Sequence, residues 1–377
     1  MKLTVVIVSY NVRYYLEQCI ASVLKATEGL ESQIYVVDNN SKDGTVGFLS
    51  HRFGSLIHIV DSNHNLGFAR ANNIAIRQTE SDYVLLLNPD TFVSETSIRQ
   101  MLDFMDAHPQ AGGVGVRMHN SDGTLARESR RGLPTPWVSL LKMFGFSRRY
   151  YMSDLSWDVP GRIDIMSGAC CMLRRKVLDK IGLLDEDFFM YGEDIDLSYR
   201  VLKGGYENWY LPVDIVHYKG ESTVKTSYRY VHVFYDAMLI FFRKHYGHLS
   251  FFVTAPIKLA IYFRAFIALI KMQYTRMRES LGFAHNGHSD THYIFVGNKR
   301  LQSEGRKLAD RKGLTASYCD QLNPDVLKEG MCVVYNADTL SYAEIISRHA
   351  SLAKPRVCMG TYSSKTKTLI TPFEIVR

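Results

Sequence analysis

Four apolar runs near the start of the chain each stop abruptly at polar groups. They are Leu3 to Ser9, Ile34 to Asp38, Leu56 to Asp61, and Tyr83 to Leu87 with Asn88-Pro89-Asp90 behind it. The first is β-branched and continuous, the pattern of a strand buried on both faces. Between and after the runs lie helical stretches: Tyr14 to Thr27, with Leu16, Ile20, Val23 and Leu24 on one stripe, then Gly67 to Gln78 and Glu95 to Ala107. Strands and helices that alternate with short links predict a mainly parallel sheet between helical layers, a three-layer α/β domain. Such a sheet offers ligands the carboxyl ends of its strands, so the polar stops mark the candidate site.

Beyond Gly112 the pattern loosens. Val114 to His119 and Arg162 to Ser167 read as strands, with a long polar and aromatic loop between them that fits a lid, a binding loop or disorder. Helices are predicted at Arg174 to Ile181 and Asp194 to Lys203, and short strands at Tyr206 to Tyr210 and Asp214 to His217. Phe251 to Tyr274 is apolar and aromatic but is interrupted by Lys258, Arg264 and Lys271, which a bilayer-spanning helix seldom tolerates. Those cations suit an amphipathic helix lying in a membrane interface, with a soluble helix packed on its own protein as the alternative. The formal charge of +7 concentrates here: Lys219 to Lys312 holds 16 Lys/Arg against 6 Asp/Glu, an excess drawn to an anionic surface. After His285-Asn286-Gly287-His288-Ser289-Asp290 the alternation resumes. Strands are expected at Tyr293 to Gly297, Met331 to Asn336 and Arg356 to Gly360, and helices at Leu301 to Lys312 and Tyr342 to His349. The expected division is therefore 1–245, 246–285 and 286–377, the last a small, separate Rossmann-like α/β unit without a G-x-G-x-x-G series.

The six cysteines include no CxxC pair, which argues against a zinc site and suits buried thiols in a reducing cytoplasm. The first residues run straight into a strand pattern and lack a signal-peptide layout.

Six motifs now stand in order: Val5-Val6-Ile7-Val8-Ser9-Tyr10-Asn11; Val37-Asp38-Asn39-Asn40-Ser41-Lys42-Asp43-Gly44; Asn65-Leu66-Gly67-Phe68-Ala69-Arg70; Leu87-Asn88-Pro89-Asp90; Gly168-Ala169-Cys170; and Tyr191-Gly192-Glu193-Asp194-Ile195-Asp196, with Val216-His217-Tyr218 beyond. Over roughly residues 1–220 the chain resembles family 2 glycosyltransferases of the GT-A fold, and most nearly the rhamnosyltransferase-like branch of bacterial polysaccharide synthesis. The resemblance implies a nucleotide-sugar site built from Ser9, Asn11, Asp38, Asn40, Asn65, Gly67, Arg70, Asn88 and Gly168. It implies a divalent metal, Mg²⁺ or Mn²⁺, on Asp90 and His217, although Asn88 replaces the first acid of the family's DxD-type motif. It also implies a catalytic base in the Glu193-Asp194 pair, with Asp194 preferred and Glu193 second.

Physical chemistry leaves alternatives beside each role. Asp38 can accept from a base N–H or start the following turn. Ser9 or Asn11 can cap the next helix instead. The Asn65–Gly67 turn can offer backbone N–H groups to phosphate, with Arg70 adding charge, or Arg70 can make a surface salt bridge. His217 can be a metal ligand or a satisfied structural histidine. All three acids at Glu193–Asp196 suit a helix N-terminus, and Asp196 can pair with Arg200 one turn on.

The expectation is an inverting, metal-dependent glycosyltransferase, cytoplasmic and peripheral at the inner face of the cell membrane through Phe251–Tyr274. It would carry a sugar from a nucleoside-diphosphate donor to a lipid-linked glycan. The rivals are an inactive nucleotide-sugar-binding regulator and a nucleotidyltransferase. The second would want a Gly-rich basic loop after the first strand, which Ser9-Tyr10-Asn11-Val12-Arg13 is not. Nucleic acid is not an expected partner, since the basic residues surround an apolar helix with no stacking platform.

Overall fold

The computed structural model describes residues 1–218, 228–247, 251–280, 291–352, 354 and 356–377. The His285–Asp290 link and part of the basic stretch lie outside these residues. The chain begins β1 (Leu3–Ser9), α1 (Arg13–Ala26), β2 (Ser32–Asp38), α2 (Thr45–Phe53), β3 (His58–Asp61), α3 (Phe68–Arg77), β4 (Tyr83–Leu87), β5 (Thr91–Val93) and α4 (Ser97–Ala107). It continues through β6 (Ala111–His119), α5 (Pro136–Met143), β7 (Gly161–Ile163), β8 (Cys170–Arg174), α6 (Arg175–Ile181), α7 (Glu193–Lys203) and β9 (Glu207–His217).

These strands form one nine-stranded sheet in the order β3-β2-β1-β4-β8-β6-β9-β5, with β7 paired to β9. Alternation along β1 builds two cores. Val5 and Ile7 pack with Leu16 and Ile20 of α1, whereas Val6 and Val8 pack with Ala69, Ala75 and Ile76 of α3 on the other face. That is the expected three-layer α/β arrangement, the architecture that the resemblance to GT-A enzymes implies. The sheet is less parallel than anticipated. The run β3-β2-β1-β4 is parallel, but β8 enters antiparallel to both β4 and β6. Its residues, Cys170 to Arg174, did not read as a strand. The two short strands expected after Tyr206 are a single strand, β9, whose register against β6 shifts at Val116/Arg117.

Two helices follow, α8 (Tyr228–Tyr246) and α9 (Phe251–Ser280), packed on one another through Phe242 and Ile261. Much of α9 stays apolar and exposed: Leu259 is 71 % exposed, Phe263 61 % and Phe266 59 %. Among the described residues no helix is long and apolar enough to cross a membrane.

A second sheet closes the chain, from β10 (His292–Val296), α10 (Lys299–Lys312), β11 (Thr315–Cys319), β12 (Met331–Asn336), α11 (Tyr342–Ser351), β13 (Cys358–Ser363), β14 (Thr368–Ile370) and β15 (Ile375–Val376). Its order is β11-β10-β12-β13-β14-β15, parallel as far as β13 and antiparallel after it. This unit has its own sheet but is not separate in its core. Tyr335, Tyr342 and Ile345 share one buried cluster with Val12, Tyr15, Phe92, Val216 and Tyr218 of the first domain. The Glu95 carboxylate accepts from the Tyr342 and Ala343 N–H groups at 2.8 and 3.1 Å, so an acid of the first domain meets the N-terminus of α11. Gln18 Nε2 also donates to Thr361 Oγ1 at 3.0 Å.

Candidate active site

The carboxyl ends of β1 and β4 open onto a cleft of about 740 Å³. Ser9, Asn39, Asn65, Asn88 and Asp90 line it, Gly168, Glu193, Asp194 and His217 also face it, and residues of α5, α8 and α9 complete its wall.

Parallel pairing sets Ser9 beside Asp38. Both are buried; Ser9 lines the cleft and Asp38 does not, and among the described residues neither Ser9 Oγ nor Asp38 Oδ1 has a hydrogen-bond partner. Asp38 does start the turn, because its Oδ2 accepts from the Ser41 N–H at 2.8 Å. One oxygen therefore serves structure while the other is left over, and burial raises the carboxyl's pKa above the ordinary aspartate value. Buried polar atoms seldom lack partners, so this pair is a place where a ligand's donors fit.

Antiparallel pairing of β5 with β9 sets His217 opposite Thr91 and next to Asp90. His217 Nε2 lies 3.2 Å from Asp90 Oδ1 and 3.4 Å from Asn88 Nδ2. No cluster of three His, Cys, Asp or Glu residues suited to a metal occurs among the described residues. The protein thus offers one carboxylate and one imidazole. That set fits Mg²⁺ or Mn²⁺ whose remaining ligands come from substrate phosphates.

Across the cleft α7 begins at Glu193, after Gly192 in the left-handed region (φ 83°). Asp194 Oδ2 accepts from Arg131 Nη2 at 2.5 Å and from the Gly168 N–H at 3.2 Å. A Cβ on Gly168 would stand 3.2 Å from Asp194 Cβ, which explains the small residue there. Glu193 is almost fully buried, and its Oε2 has no partner among the described residues. Burial, then the Asp194 charge, push the Glu193 carboxyl up to about 8. The neighbouring acids are therefore unlike: Glu193 holds its proton at neutral pH, and Asp194 sits in an ion pair. Asp196 turns away from both to Arg200 at 2.7 Å, as its spacing anticipates, and to His245 at 2.7 Å.

Arg131 is the residue that sequence reasoning missed. It lies in the loop before α5, almost fully buried, and its Nη2 also donates to the Met166 carbonyl at 2.6 Å. The only hint was an Arg130-Arg131 pair in a stretch without periodicity.

Several expected ligand contacts are not brought to the cleft. Asn11 neither lines it nor caps α1. Its N–H donates to Ser41 Oγ at 2.8 Å and its Oδ1 accepts from the Lys42 N–H at 2.7 Å, tying two loops together. Asn40 accepts from Lys42 Nζ at 2.6 Å, and it is Asn39 that faces the cleft. The Asn65–Phe68 turn is no anion nest, because its N–H groups are already engaged. Leu66 donates to Asn39, Gly67 to Asn65 and Phe68 to the Phe189 carbonyl. Gly67 instead allows close packing, since a Cβ there would lie 2.3 Å from the Phe189 oxygen. Arg70 makes the surface salt bridge, to Glu186 at 3.1 Å, and does not face the cleft.

Comparison with known proteins finds sequence relatives over the part of the chain that carries this cleft. Residues 4–182 match the family described as Glycosyl transferase family 2. An N-acetylglucosaminyl-diphospho-decaprenol L-rhamnosyltransferase of Mycobacterium tuberculosis is 28% identical over 250 residues, 59% of this chain and 77% of that protein. The low-salt glycan biosynthesis hexosyltransferase Agl10 of Haloferax volcanii is 30% identical over 208 residues, 52% of this chain and 61% of its own. Among solved structures, the mannosyltransferase PcManGT from Pyrobaculum calidifontis in complex with GDP-Man and Mn²⁺ overlaps 83% of this chain and 81% of its own, with 18% identity and a TM-score of 0.45, too distant to argue from. The N-terminal half of this chain belongs to glycosyl transferase family 2, and the protein is a glycosyltransferase.

Proposed function

We propose that the enzyme transfers a sugar, with inversion, from a nucleoside-diphosphate sugar to a lipid-linked glycan in surface polysaccharide synthesis. The observation that carries this reading is the placement of Asp194 and the Asp90–His217 pair in one cleft, with the unpartnered Ser9 and Asp38 oxygens at the strand ends beside it. Ser9 and Asp38 would receive the nucleoside, with Asn39 and Asn65 around it. Asn88 and Gly168 would border the sugar.

In the reaction an acceptor hydroxyl oxygen bonds to the anomeric carbon as the bond from that carbon to the diphosphate oxygen breaks. The electron pair leaves with the nucleoside diphosphate, and Asp194 takes the hydroxyl proton. Glu193, already protonated, does not compete for it. Arg131 and the Gly168 N–H orient the Asp194 carboxylate. Asp90 and His217 would hold the cation, whose chemistry is to neutralise charge on the leaving diphosphate. A membrane site of action, on the inner face of the cell membrane, is supported by the exposed apolar side chains of α9 and the basic excess around it. A division into a catalytic part at 1–245, a helical membrane-facing segment at 246–285 and a C-terminal unit at 286–377 accords with the two sheets.

The test is a melting-temperature panel of dTDP-, UDP- and GDP-linked sugars, each with and without Mn²⁺. A ligand present at a hundred times its Kd stabilises by about 2.7 kcal/mol. One nucleotide should raise the melting temperature in a metal-dependent way, and Asp90→Ala should remove the metal-dependent part. No shift with any donor in the folded protein would overturn the reading.

A further inference from the structure

The part of the cleft wall contributed by the helices differs in chemistry from the strand ends. Phe234, Met238, Phe241 and Phe242 of α8 and Ile261 of α9 give it an apolar surface. α5 packs against α9, and its Trp137, outside the cleft lining, is 60 % exposed. The apolar lining is thereby continuous in character with the exposed face of α9.

Among the described residues two cations line the cleft: Arg131, which is committed to Asp194, and Lys142. Lys142, on α5, lines the cleft with its Nζ 3.3 Å from the Tyr150 ring centroid and 5.3 Å from that of Tyr151. The two rings meet edge to face at 5.0 Å. Among the described residues Lys142 makes no salt bridge. Burial opposes its charge and lowers its pKa; Tyr150 and the Glu128 charge work against that shift, and the nearby Arg131 adds to it. The Tyr150 carbonyl accepts from the Gly132 N–H at 2.8 Å, next in sequence to the Arg131 that holds Asp194. A half-buried ammonium beside two aromatic rings, bonded to Tyr150 and reached by the Glu128 carboxylate only from beyond ion-pair distance, is a receptor for an anionic group that brings its own charge.

We propose that Lys142 receives the phosphate of a polyisoprenoid-phosphate-linked acceptor, with the lipid chain running along α8 and α9 toward the exposed face of α9. This deepens the transfer reading above and rests on it. The arrangement explains why one cleft carries polar strand ends, a reacting centre and an apolar helical wall: donor, acceptor sugar and acceptor lipid follow one another along it. The hydrophobic term comes from the tail, and the ammonium fixes how far the tail enters, which sets the acceptor hydroxyl at Asp194.

Binding of geranylgeranyl diphosphate, geranylgeraniol and inorganic pyrophosphate to the full chain tests this, read by equilibrium dialysis in EDTA so that no metal route operates. The diphosphate lipid should bind at least tenfold more tightly than either fragment. Lys142→Met should remove that advantage while leaving geranylgeraniol unchanged, and Met238→Glu should weaken both lipids. The inference fails if pyrophosphate alone binds as well as the lipid diphosphate, or if Lys142→Met retains the wild-type preference. UDP, dTDP and GDP with Mn²⁺, measured on the same protein, separate the two levels. Nucleotide binding without lipid binding sinks the acceptor site alone, whereas absence of both in folded protein sinks the transfer reading with it.

Discussion

Glu193→Gln should stabilise the protein at pH 8 and change it little near pH 4.5. In the wild type the carboxyl ionises at 4.5 in the unfolded reference and at about 8 in the folded state. Between those values the unfolded chain releases a proton that the folded chain retains. The folded state then binds more protons, so stability falls as pH rises through this window. A tenfold change in proton affinity is about 1.4 kcal/mol, which puts the loss complete by pH 8 at about 5 kcal/mol at most. The amide of the Glu193→Gln variant has no such proton to lose, so this part of the slope disappears. Asp194→Asn should flatten the slope partially, because it removes the second cause of the shift and leaves burial. Urea unfolding at pH 5, 6.5 and 8 reads the effect as midpoints at constant m. Wild-type and Glu193→Gln midpoints that ran parallel across this range would refute the assignment of a buried, protonated Glu193.

Asp194→Asn should lower the rate of transfer by about 10²–10⁴-fold, with nucleotide affinity by calorimetry nearly unchanged; near-normal turnover would remove Asp194 as the base. Gly67→Ala puts a Cβ 2.3 Å from the Phe189 carbonyl oxygen at a φ of +78°. A loss of about 1–3 kcal/mol is expected from the backbone conformation alone, and an unchanged urea midpoint would contradict it. Phe92→Ala empties a fully buried site between the two sheets, so it should cost about 3–5 kcal/mol. Near-UV circular dichroism should show the tyrosines of both domains lose their signal at one lower midpoint.

What the sequence disclosed and what it concealed follow one physical divide. Ser9, Asp38, Asn88 and Asp90 were legible because each ends, or lies just past the end of, an apolar strand, and a parallel sheet brings such ends together whatever the loops do. His217 was placed by family resemblance, and the antiparallel β5–β9 pairing that delivers it to Asp90 involves only three residues of β5. Strand β8 was hidden because Cys170-Cys171-Met172-Leu173-Arg174 lacks β-branched residues; its conformation is imposed by neighbours on both edges rather than by propensity. Arg131 and Lys142 lie in or beside a long loop, where no period exists to say which side chain turns inward. The errors at Asn11, Asn40, Gly67 and Arg70 share a different cause. Motif position fixed where these residues lie in the chain, but their hydrogen bonds were taken by neighbours such as Ser41, Lys42, Phe189 and Glu186.

The ribbon that carries Asp90 and His217 has a second face. Phe92 lies 5.2 Å from Tyr342 and 5.9 Å from Tyr218, ring to ring, and Tyr218 lies 5.3 Å from Tyr15. A protein engineer who trimmed the chain to its catalytic portion would strip the backing from the very strand pair that presents those two side chains. Trimming would also uncover a row of aromatic rings prone to self-association. The shortest fragment that keeps a working front is thus set by what supports it from behind, and residues far beyond the family match belong to it.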